Sequence, residues 1–259
     1  MNSSRRQFLQ IATAGAACVT LGASAEPALG MIFPPLNYPV PPEARLLYPA
    51  GVRFLAIGVG LPSMTPEGYD SVIDKIVPSA EKLAKDGANA ISIMGTSLTF
   101  YKGVAYHQKL VDDVHKATGL PTTTMSNGIR EGLRAAGARR VAVATAYNVE
   151  VTGRLKVFLE ESGFEVLAAK GLGIERGGIP ASAQEHLADF SADVFQSAPK
   201  ADCLVISCGA LKTLDLLVPL EARCKVPVVS STPHALWAGV RLLGLSGRVP
   251  GYGSVLAKG

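Results

Sequence analysis

Cysteine, histidine, aromatic and charged residues are all scarce in this chain, and each shortage narrows what the protein can be. Its 259 residues include 4 Cys, 4 His and 1 Trp, and 18% of them are charged. So few cysteines exclude a small scaffold built on disulfides, and neither the cysteines nor the histidines show the spacing of a zinc site. Lys and Arg are scattered and form no basic stripe, which argues against nucleic acid as a partner.

Long apolar runs are also missing after the N-terminus. No segment there reaches the roughly 18 apolar residues that a membrane-spanning helix needs, so we expect no membrane anchor in the mature protein. The composition, 48% hydrophobic with 27 Gly and 17 Pro, is that of a globular chain long enough for one large or two small domains. Of the formal net charge of +4, Arg5 and Arg6 contribute +2, so the rest of the chain carries only +2.

The first 25 residues have the three-part pattern of a secretory signal. Arg5 and Arg6 precede an apolar stretch rich in Ala and Gly, which ends in A-S-A at 23–25. The paired arginines followed by Phe8 resemble a twin-arginine export signal. We therefore predict that the export machinery recognises residues 1–25, that they are removed, and that the mature protein is periplasmic. The alternative is an amphipathic N-terminal helix, and the cleavage position is open.

Short β-rich runs alternate with helical patterns along the remaining chain. The helical segments, such as "NVEVTGRLKVFLEESG", repeat apolar residues at i, i+3, i+4 and i+7. This alternation predicts an α/β fold with parallel sheets covered by helices on both faces. The expected strands are 53–59, 88–94, 121–125, 140–145, 165–169, 203–207 and 227–231, with 31–34 as an optional addition.

The chain also repeats itself. "GANAISIMGTSLTF…GLPTTTMSNGIREGLRAAG" runs parallel to "KADCLVISCGALKTLD…KVPVVSSTPHALWAGVRLLG". We expect two pseudo-symmetric α/β domains, residues 26–136 plus 230–259 and residues 137–229, that face each other. The turns that follow the two matching strands, at 95–97 and 207–209, would then lie in one cleft, at the carboxyl ends of the strands where such sheets place their sites.

The cysteines that remain after signal removal are Cys203, Cys208 and Cys224. An odd number cannot all pair, although a disulfide between Cys203 and Cys224 stays open. Cys203 is suited to the core, because a free cysteine behaves as a small hydrophobe. Cys208 instead falls at the tip of the run "LVISCG", before a segment that looks helical. With an ordinary pKa near ~8.5, a thiol there can serve as acid or base if the site tunes it.

Hydrogen-bond donors surround the same predicted cleft. Thr96, Ser97, Tyr147 and the N–H groups near Cys208 and Gly209 would give several donors aimed at one point, suited to a carboxylate or an oxyanion. The alternative for Thr96 and Ser97 is ordinary helix capping.

Other candidates are weaker. The G-V-G at 58–60 lacks the third glycine of a dinucleotide site. His107 and His115 lie on a predicted helix and are expected to be solvated or half-buried. His234 begins a predicted helix near the cleft, where contact with a substrate stays open.

Six segments together resemble one family. "MGTSLTFYKG", "TPEGYD", "VAVATAYN", "SCGALKTLD", "VPVVSSTPHALW" and "PGYG" are similar to the bacterial arylmalonate decarboxylases, of the aspartate/glutamate racemase superfamily, over residues 31–253. The resemblance implies two flavodoxin-like halves with the active site between them. Racemases and maleate isomerases of this superfamily use two cysteines, and the first would fall at Gly95. A decarboxylase needs a single acid, so Gly95 with Cys208 matches the decarboxylase pattern.

The resemblance also implies a carbon–carbon lyase with no metal and no other cofactor. A dicarboxylate, a 2-aryl, 2-substituted malonate, would lose CO2 to leave an enediolate, which Cys208 protonates to a chiral monocarboxylic acid. The retained carboxylate would lie in a dioxyanion hole formed by Thr96, Ser97, Tyr147 and the N–H groups near Cys208 and Gly209. The implied pocket residues are Pro34, Leu61, Met64, Tyr69 and Gly95.

Two alternatives remain at this point. One is a racemase or maleate-type cis-trans isomerase of the same superfamily, which pairs Cys208 with a partner other than cysteine. The other is a periplasmic dicarboxylate-binding protein, since two lobes and an export signal would suit that role. The segment "GLGIERGGIPASAQEHL" departs from the family pattern, which leaves the substrate size open. The natural substrate, the product configuration and the oligomeric state are also open.

Overall fold

Two parallel four-stranded sheets form the framework of the protein. The computed structural model describes residues 26–175 and 179–258, so the predicted signal at 1–25 lies outside the described residues. The first sheet has the order β2-β1-β3-β4 and consists of β1 (Ala28–Phe33), β2 (Arg53–Gly58), β3 (Ala90–Ile93) and β4 (Thr122–Thr124). The second has the order β6-β5-β7-β8 and consists of β5 (Arg140–Thr145), β6 (Glu165–Gly171), β7 (Cys203–Ser207) and β8 (Val228–Ser230). The identical strand order confirms the two-half α/β fold predicted from the repeat.

Helices cover the sheets, and this explains why the central strands are apolar without alternation. Every residue of β3 and β7 is buried, as expected for parallel strands with a helix layer on each face. The helices are α1 (Pro42–Leu47), α2 (Pro66–Asp70), α3 (Ile76–Lys85), α4 (Thr96–Phe100), α5 (Gly103–Thr118), α6 (Met125–Ala136), α7 (Val149–Glu161), α8 (Ala181–Glu185), α9 (Leu187–Gln196), α10 (Leu217–Cys224) and α11 (Ser231–Leu242). Within the described ranges, none of these helices is long and apolar enough to cross a membrane.

Local sequence signals set the ends of several helices. The Asn148 side chain accepts a hydrogen bond from the N–H of Val151 at 2.9 Å and so caps α7. The Thr124 hydroxyl caps α6 in the same way, at 2.9 Å from the N–H of Asn127. At the other end of α6, Gly137 takes the left-handed conformation with φ of 74°, which glycine adopts without steric cost.

Helices α6 and α11 interlock the two halves. α11 follows β8 yet packs over β3 and β4, whereas α6 follows β4 and reaches β7 and β8. The two helices touch backbone to backbone, because a Cβ atom added at Gly128 would lie 2.7 Å from the Cα of Ala235. The domain boundaries at 136/137 and 229/230 stay a prediction.

The structure corrects three expectations from the sequence. β1, predicted only as an optional strand at 31–34, spans Ala28–Phe33 and lies at the centre of its sheet between β2 and β3. The helix expected directly after Cys208 begins only at Leu217, after a turn and a 3-10 segment. His107 is fully buried rather than solvated, since its ring packs on Phe158 and its Nε2 lies 2.9 Å from the Thr124 hydroxyl.

Candidate active site

The turns after β3 and β7 meet at a cavity of about 180 Å³ between the two halves. Nine of the ten site residues named from the sequence line it, and their chemical roles stay predictions. They are Pro34, Leu61, Met64, Gly95, Thr96, Ser97, Tyr147, Cys208 and Gly209. The tenth, Tyr69, lies outside the lining and is fully buried. The cavity opens where the carboxyl ends of parallel strands place such sites.

Cys208 is the thiol of this cavity. It directly follows β7, and only 4% of its surface is exposed. Burial raises the pKa of the thiol above its ordinary value, while the N–H groups of Ala210 and Leu211 and the hydroxyl of Tyr147 act in the opposite direction. The thiol is therefore protonated at neutral pH, and the same donors stand ready to stabilise the thiolate once the proton has left.

Tyr147 supplies a buried phenol beside this thiol. Its hydroxyl lies 3.5 Å from the Ser207 hydroxyl, and burial raises the pKa of Tyr147 well above its ordinary value, with the charge of a Cys208 thiolate acting in the same direction. Ser207 and Thr96 act in the opposite direction by hydrogen bonding. The phenol keeps its proton at neutral pH and can donate a hydrogen bond to an anion.

Thr96 and Ser97 begin α4, but neither side chain caps it. The capping position is Gly95, which has no side chain to offer, and the Thr96 hydroxyl instead donates to the Ser231 hydroxyl at 2.9 Å. Both side chains are buried and line the cavity. The interpretation of these residues as simple helix caps is therefore wrong.

Ser231 joins the two turns, and the sequence analysis missed it. Its hydroxyl oxygen accepts hydrogen bonds from Thr96, in the first half, and from the N–H of Cys208 at 3.1 Å, in the second. The N–H of Cys208, which the sequence predicted as part of the dioxyanion hole, therefore already donates to Ser231. The signal was present in the sequence, because Ser231 stands in "VVSSTPH" as the last residue of a predicted strand, where the repeat places the site.

Tyr69 lies close to Ser97 but does not line the cavity. Its ring packs against Tyr101 at a centroid distance of 4.9 Å, and its hydroxyl makes no hydrogen bond of ordinary geometry to any described residue. Burial raises the pKa of Tyr69, and the nearby Ser97 hydroxyl partly opposes this. The residue therefore lies near Ser97 but outside the cavity lining.

Part of the cavity lining is apolar. Leu61, Met64 and Ile179 lie there with Pro34, and two backbone hydrogen bonds fix this wall, from the N–H of Leu61 to Pro34 at 2.7 Å and from that of Met64 to Glu175 at 2.9 Å. Ile179 belongs to the segment in which the sequence departs from the family pattern.

Tyr38 and Glu175 are further lining residues that the sequence analysis missed. The ring of Tyr38 stacks on Phe33 at a centroid distance of 4.6 Å. Glu175 is the one formally charged residue among the described lining residues, and its carboxylate is held by the Asn148 amide at 2.6 Å. None of the described lining residues is Lys or Arg, so the hydrogen-bond donors that these residues offer to an anion are neutral.

Other candidates from the sequence fall in the core. His234 is fully buried and does not line the cavity, and its Nδ1 accepts the N–H of Ser230 at 3.1 Å. Burial lowers the pKa of His234 to about 4, so the ring is neutral at pH 7. Cys203 is buried within β7, and Cys203 and Cys224 are free thiols rather than a disulfide.

Two pseudo-symmetric α/β halves with a thiol in the cleft between them define a class that contains both decarboxylases and isomerases. A sequence model of the family "Arylmalonate decarboxylase" matches residues 29–256. The chain therefore belongs to the arylmalonate decarboxylase family.

Individual relatives agree with this assignment. The chain is 46% identical over 231 residues to the arylmalonate decarboxylase of Bordetella bronchiseptica, a match that covers 88% of this chain and 95% of the relative. A solved structure of a liganded arylmalonate decarboxylase, a double variant with one glycine changed to cysteine and one cysteine to serine, has 43% identity and a TM-score of 0.85. That match covers 90% of this chain and all of the other. The maleate isomerase of Nocardia farcinica is a more distant relative, with 26% identity over 88% of this chain and 94% of its own length. The chain is thus the homologue of a decarboxylase, a carbon–carbon lyase, and the racemase or isomerase alternative is not favoured.

Proposed function

We propose that the protein decarboxylates 2-aryl, 2-substituted malonates to chiral monocarboxylic acids without a cofactor, and that Cys208 is the proton donor. The observation that carries this proposal is the composition of the cavity. A buried, protonated thiol faces neutral hydrogen-bond donors and an apolar wall, and the equivalent position in the other half is Gly95, which has no acid or base to offer.

The first step is the binding of one carboxylate by neutral donors. The hydroxyls of Tyr147, Ser97 and Thr96 and the N–H of Gly209 surround the site where it would lie. These groups hold a carboxylate without a cation, and they stabilise the charge most strongly when it grows into an enediolate. The arrangement therefore favours the transition state over the bound dianion.

The second step is the loss of CO2 from the other carboxylate, which would lie against Leu61, Met64 and Ile179. An apolar wall replaces the water around that charge, and the departure of neutral CO2 removes the charge from it. The C–C bond breaks, and its electron pair passes to the retained carboxylate as an enediolate. The aryl group delocalises this charge.

The third step is protonation by Cys208. The S–H proton moves to the α-carbon, and the resulting thiolate is stabilised by the N–H groups of Ala210 and Leu211. Water then returns a proton to sulfur, because the raised pKa of the thiol favours the protonated form at neutral pH. Since the thiol lies on one side of the cavity only, the proton reaches one face of the enediolate and the product is chiral.

The cellular location is a separate part of the proposal. The twin-arginine-like signal at 1–25 supports export to the periplasm. Fractionation of cells that express the full chain, compared with a variant in which Arg5 and Arg6 are both lysine, tests it. Cytoplasmic recovery of the full chain at its full length would overturn it.

The test of the activity is CO2 release from phenylmalonate and from 2-methyl-2-phenylmalonate by the protein without residues 1–25. We expect Cys208→Ala to lose release by a factor of about 10² to 10⁴, the usual contribution of a positioned acid. Cys224→Ala is the matched control, because this thiol lies at the end of α10 and does not line the cavity. Unchanged release in Cys208→Ala, or no release by the wild type, would overturn the proposal.

A further inference from the structure

The hydroxyl of Ser231 is the polar link between the two turns of the cavity. Its side chain is 1% exposed, and its oxygen accepts two hydrogen bonds, from Thr96 at 2.9 Å and from the N–H of Cys208 at 3.1 Å. No described residue accepts the proton of Ser231 itself. The hydroxyl therefore has a proton to offer, and it lies between a carboxylate-binding residue and the backbone of the proton donor.

The pseudo-symmetry of the fold shows that this link is not a general requirement of the architecture. α6 and α11 follow the equivalent strands β4 and β8, and their second residues play equivalent parts. Ser126 donates to the carbonyl of Thr96 at 3.0 Å, and Thr232 donates to that of Gly209 at 3.2 Å. Each bond ties a helix to the turn of the sheet whose last strand that helix follows.

The first residues of the two helices differ in chemistry. In α6 this residue is Met125, whose thioether lies against Gly209 of the other half, so the contact across the cleft is apolar. In α11 it is Ser231, which crosses to Thr96 with a hydrogen bond. Since an apolar side chain, Met125, is accommodated as the first residue of α6, the fold does not require a hydroxyl as the first residue of α11.

We propose that Ser231 is a positioning residue, a hydroxyl relay that couples carboxylate binding at Thr96 to the position of Cys208. In the free protein, Thr96 donates to Ser231. An anionic oxygen is a stronger acceptor than a neutral hydroxyl, so a bound carboxylate draws the Thr96 proton to itself. The Ser231 proton then turns toward the Thr96 oxygen, while the N–H of Cys208 continues to donate to Ser231.

The result is a chain of donors that all point the same way, from the Cys208 N–H through Ser231 and Thr96 to the carboxylate. Hydrogen bonds in such a chain polarise one another and strengthen the last donor. The chain also fixes the backbone of the proton donor relative to the anion. We therefore expect Ser231 to act on the rate of the chemical step and on the face that is protonated, more than on substrate binding. The inference rests on the proposed function in one respect, which is that Thr96 holds the retained carboxylate.

The first test compares Ser231→Ala with Ser231→Thr, which restores a hydroxyl, and with Ser191→Ala. Ser191 is a matched control, because it is a buried serine on α9 that does not line the cavity and whose hydroxyl has no hydrogen-bond partner among the described residues. In Ser231→Ala we expect kcat to fall by about 10- to 100-fold, below the loss typical of a direct donor, with a smaller change in KM. The enantiomeric excess of the product should fall with it, whereas Ser231→Thr should recover most of both.

A double-mutant cycle with Thr96→Val distinguishes relay from general support. If Ser231 acts through Thr96, Ser231→Ala should cost much less in the Thr96→Val background than in the wild type. Equal costs in the two backgrounds, or an enantiomeric excess unchanged in Ser231→Ala, would overturn the relay. Cys208→Ala, measured in parallel, tests the proposed function separately. If Cys208→Ala loses activity and the cycle is additive, the relay alone has failed. If Cys208→Ala stays active, the proposed function has failed.

Discussion

Gly95 and Cys208 occupy equivalent positions in the two halves. Gly95 lies two residues after Ile93, which pairs with Thr124, the capping position of α6. Cys208 lies two residues after Ile206, which pairs with Ser230, the capping position of α11. Only the second half carries a side chain there that can transfer a proton. In the mechanism that we propose, the reaction therefore has an acid on one face and none at the mirror position.

A thiol at the mirror position should weaken the stereochemical control. In Gly95→Cys a second acid faces the intermediate, so we expect a lower enantiomeric excess and deuterium exchange from D2O into a chiral 2-arylpropionate. Its Cβ would lie 2.7 Å from the Pro34 ring, which must shift. Gly95→Ala is the matched control, because it adds the same Cβ without the thiol. Product of unchanged configuration and no exchange in Gly95→Cys would contradict the geometry.

The pH dependence of Cys208 follows from its raised pKa. In the proposed mechanism the active form is the thiol, so kcat/KM should stay constant through neutral pH and fall only as the pH rises through a value above the ordinary pKa of a thiol. Alkylation by iodoacetamide needs the thiolate and should show the opposite trend. Both are measured across pH 6 to 10.5, with Cys208→Ser as the blank for the other two thiols. Rapid alkylation of Cys208 at pH 7 would contradict this prediction.

Tyr147 should contribute as a hydrogen-bond donor to the developing charge. Tyr147→Phe is expected to lower kcat/KM by a factor of about 10² to 10³, the usual loss for one donor of this kind. Tyr48→Phe is a matched control, since it removes a buried phenol whose hydrogen bond, to the Gly247 carbonyl at 2.8 Å, lies away from the cavity. A loss of similar size in both variants would mean that the effect comes from weakened folding.

Two buried histidines should make the fold sensitive to acid. Burial lowers the pKa of His107 and of His234 to about 4, below the ordinary 6.5. The unfolded chain therefore binds more protons between these values, so their contribution to stability is complete above pH 6.5 and is lost as the pH falls toward 4. Each can contribute up to about 3 kcal/mol.

Urea unfolding at pH 7.5 and 4.5 measures this loss. His107→Gln, which keeps a polar group toward Thr124 but does not titrate, is the comparison. The difference between the two pH values should be smaller in that variant than in the wild type. An equal difference would show that other groups dominate the acid response.

The sequence predicted most of the fold because its signals are local. Apolar runs such as 140–145 and 203–207 coincide with β5 and β7, and Asn148 caps α7 as its position before an apolar helix suggests. β1 was only an optional prediction, because its run "ALGMIF" contains a glycine and its place at the centre of the sheet depends on partners far along the chain.

Parts of the site could not be predicted from local patterns. The repeat placed Gly95 and Cys208 in one cleft, but the bond from Thr96 to Ser231 joins residues 135 positions apart. No periodicity reports such a contact. The burial of His107 had a signal that was missed, since Leu110 and Val114, three and seven residues further on, lie on the same face of α5 and are buried with it.

The contact between Gly128 and Ala235 also bears on how substrate enters and product leaves. Because α6 and α11 touch backbone to backbone and each contacts strands of both sheets, we expect them to oppose a hinge opening of the cleft. A solute-binding protein relies on such a hinge, whereas here we expect substrate and products to pass through the mouth of the cavity without a domain opening. Stopped-flow binding of phenylacetate should therefore show one phase, with a rate that rises linearly with ligand concentration.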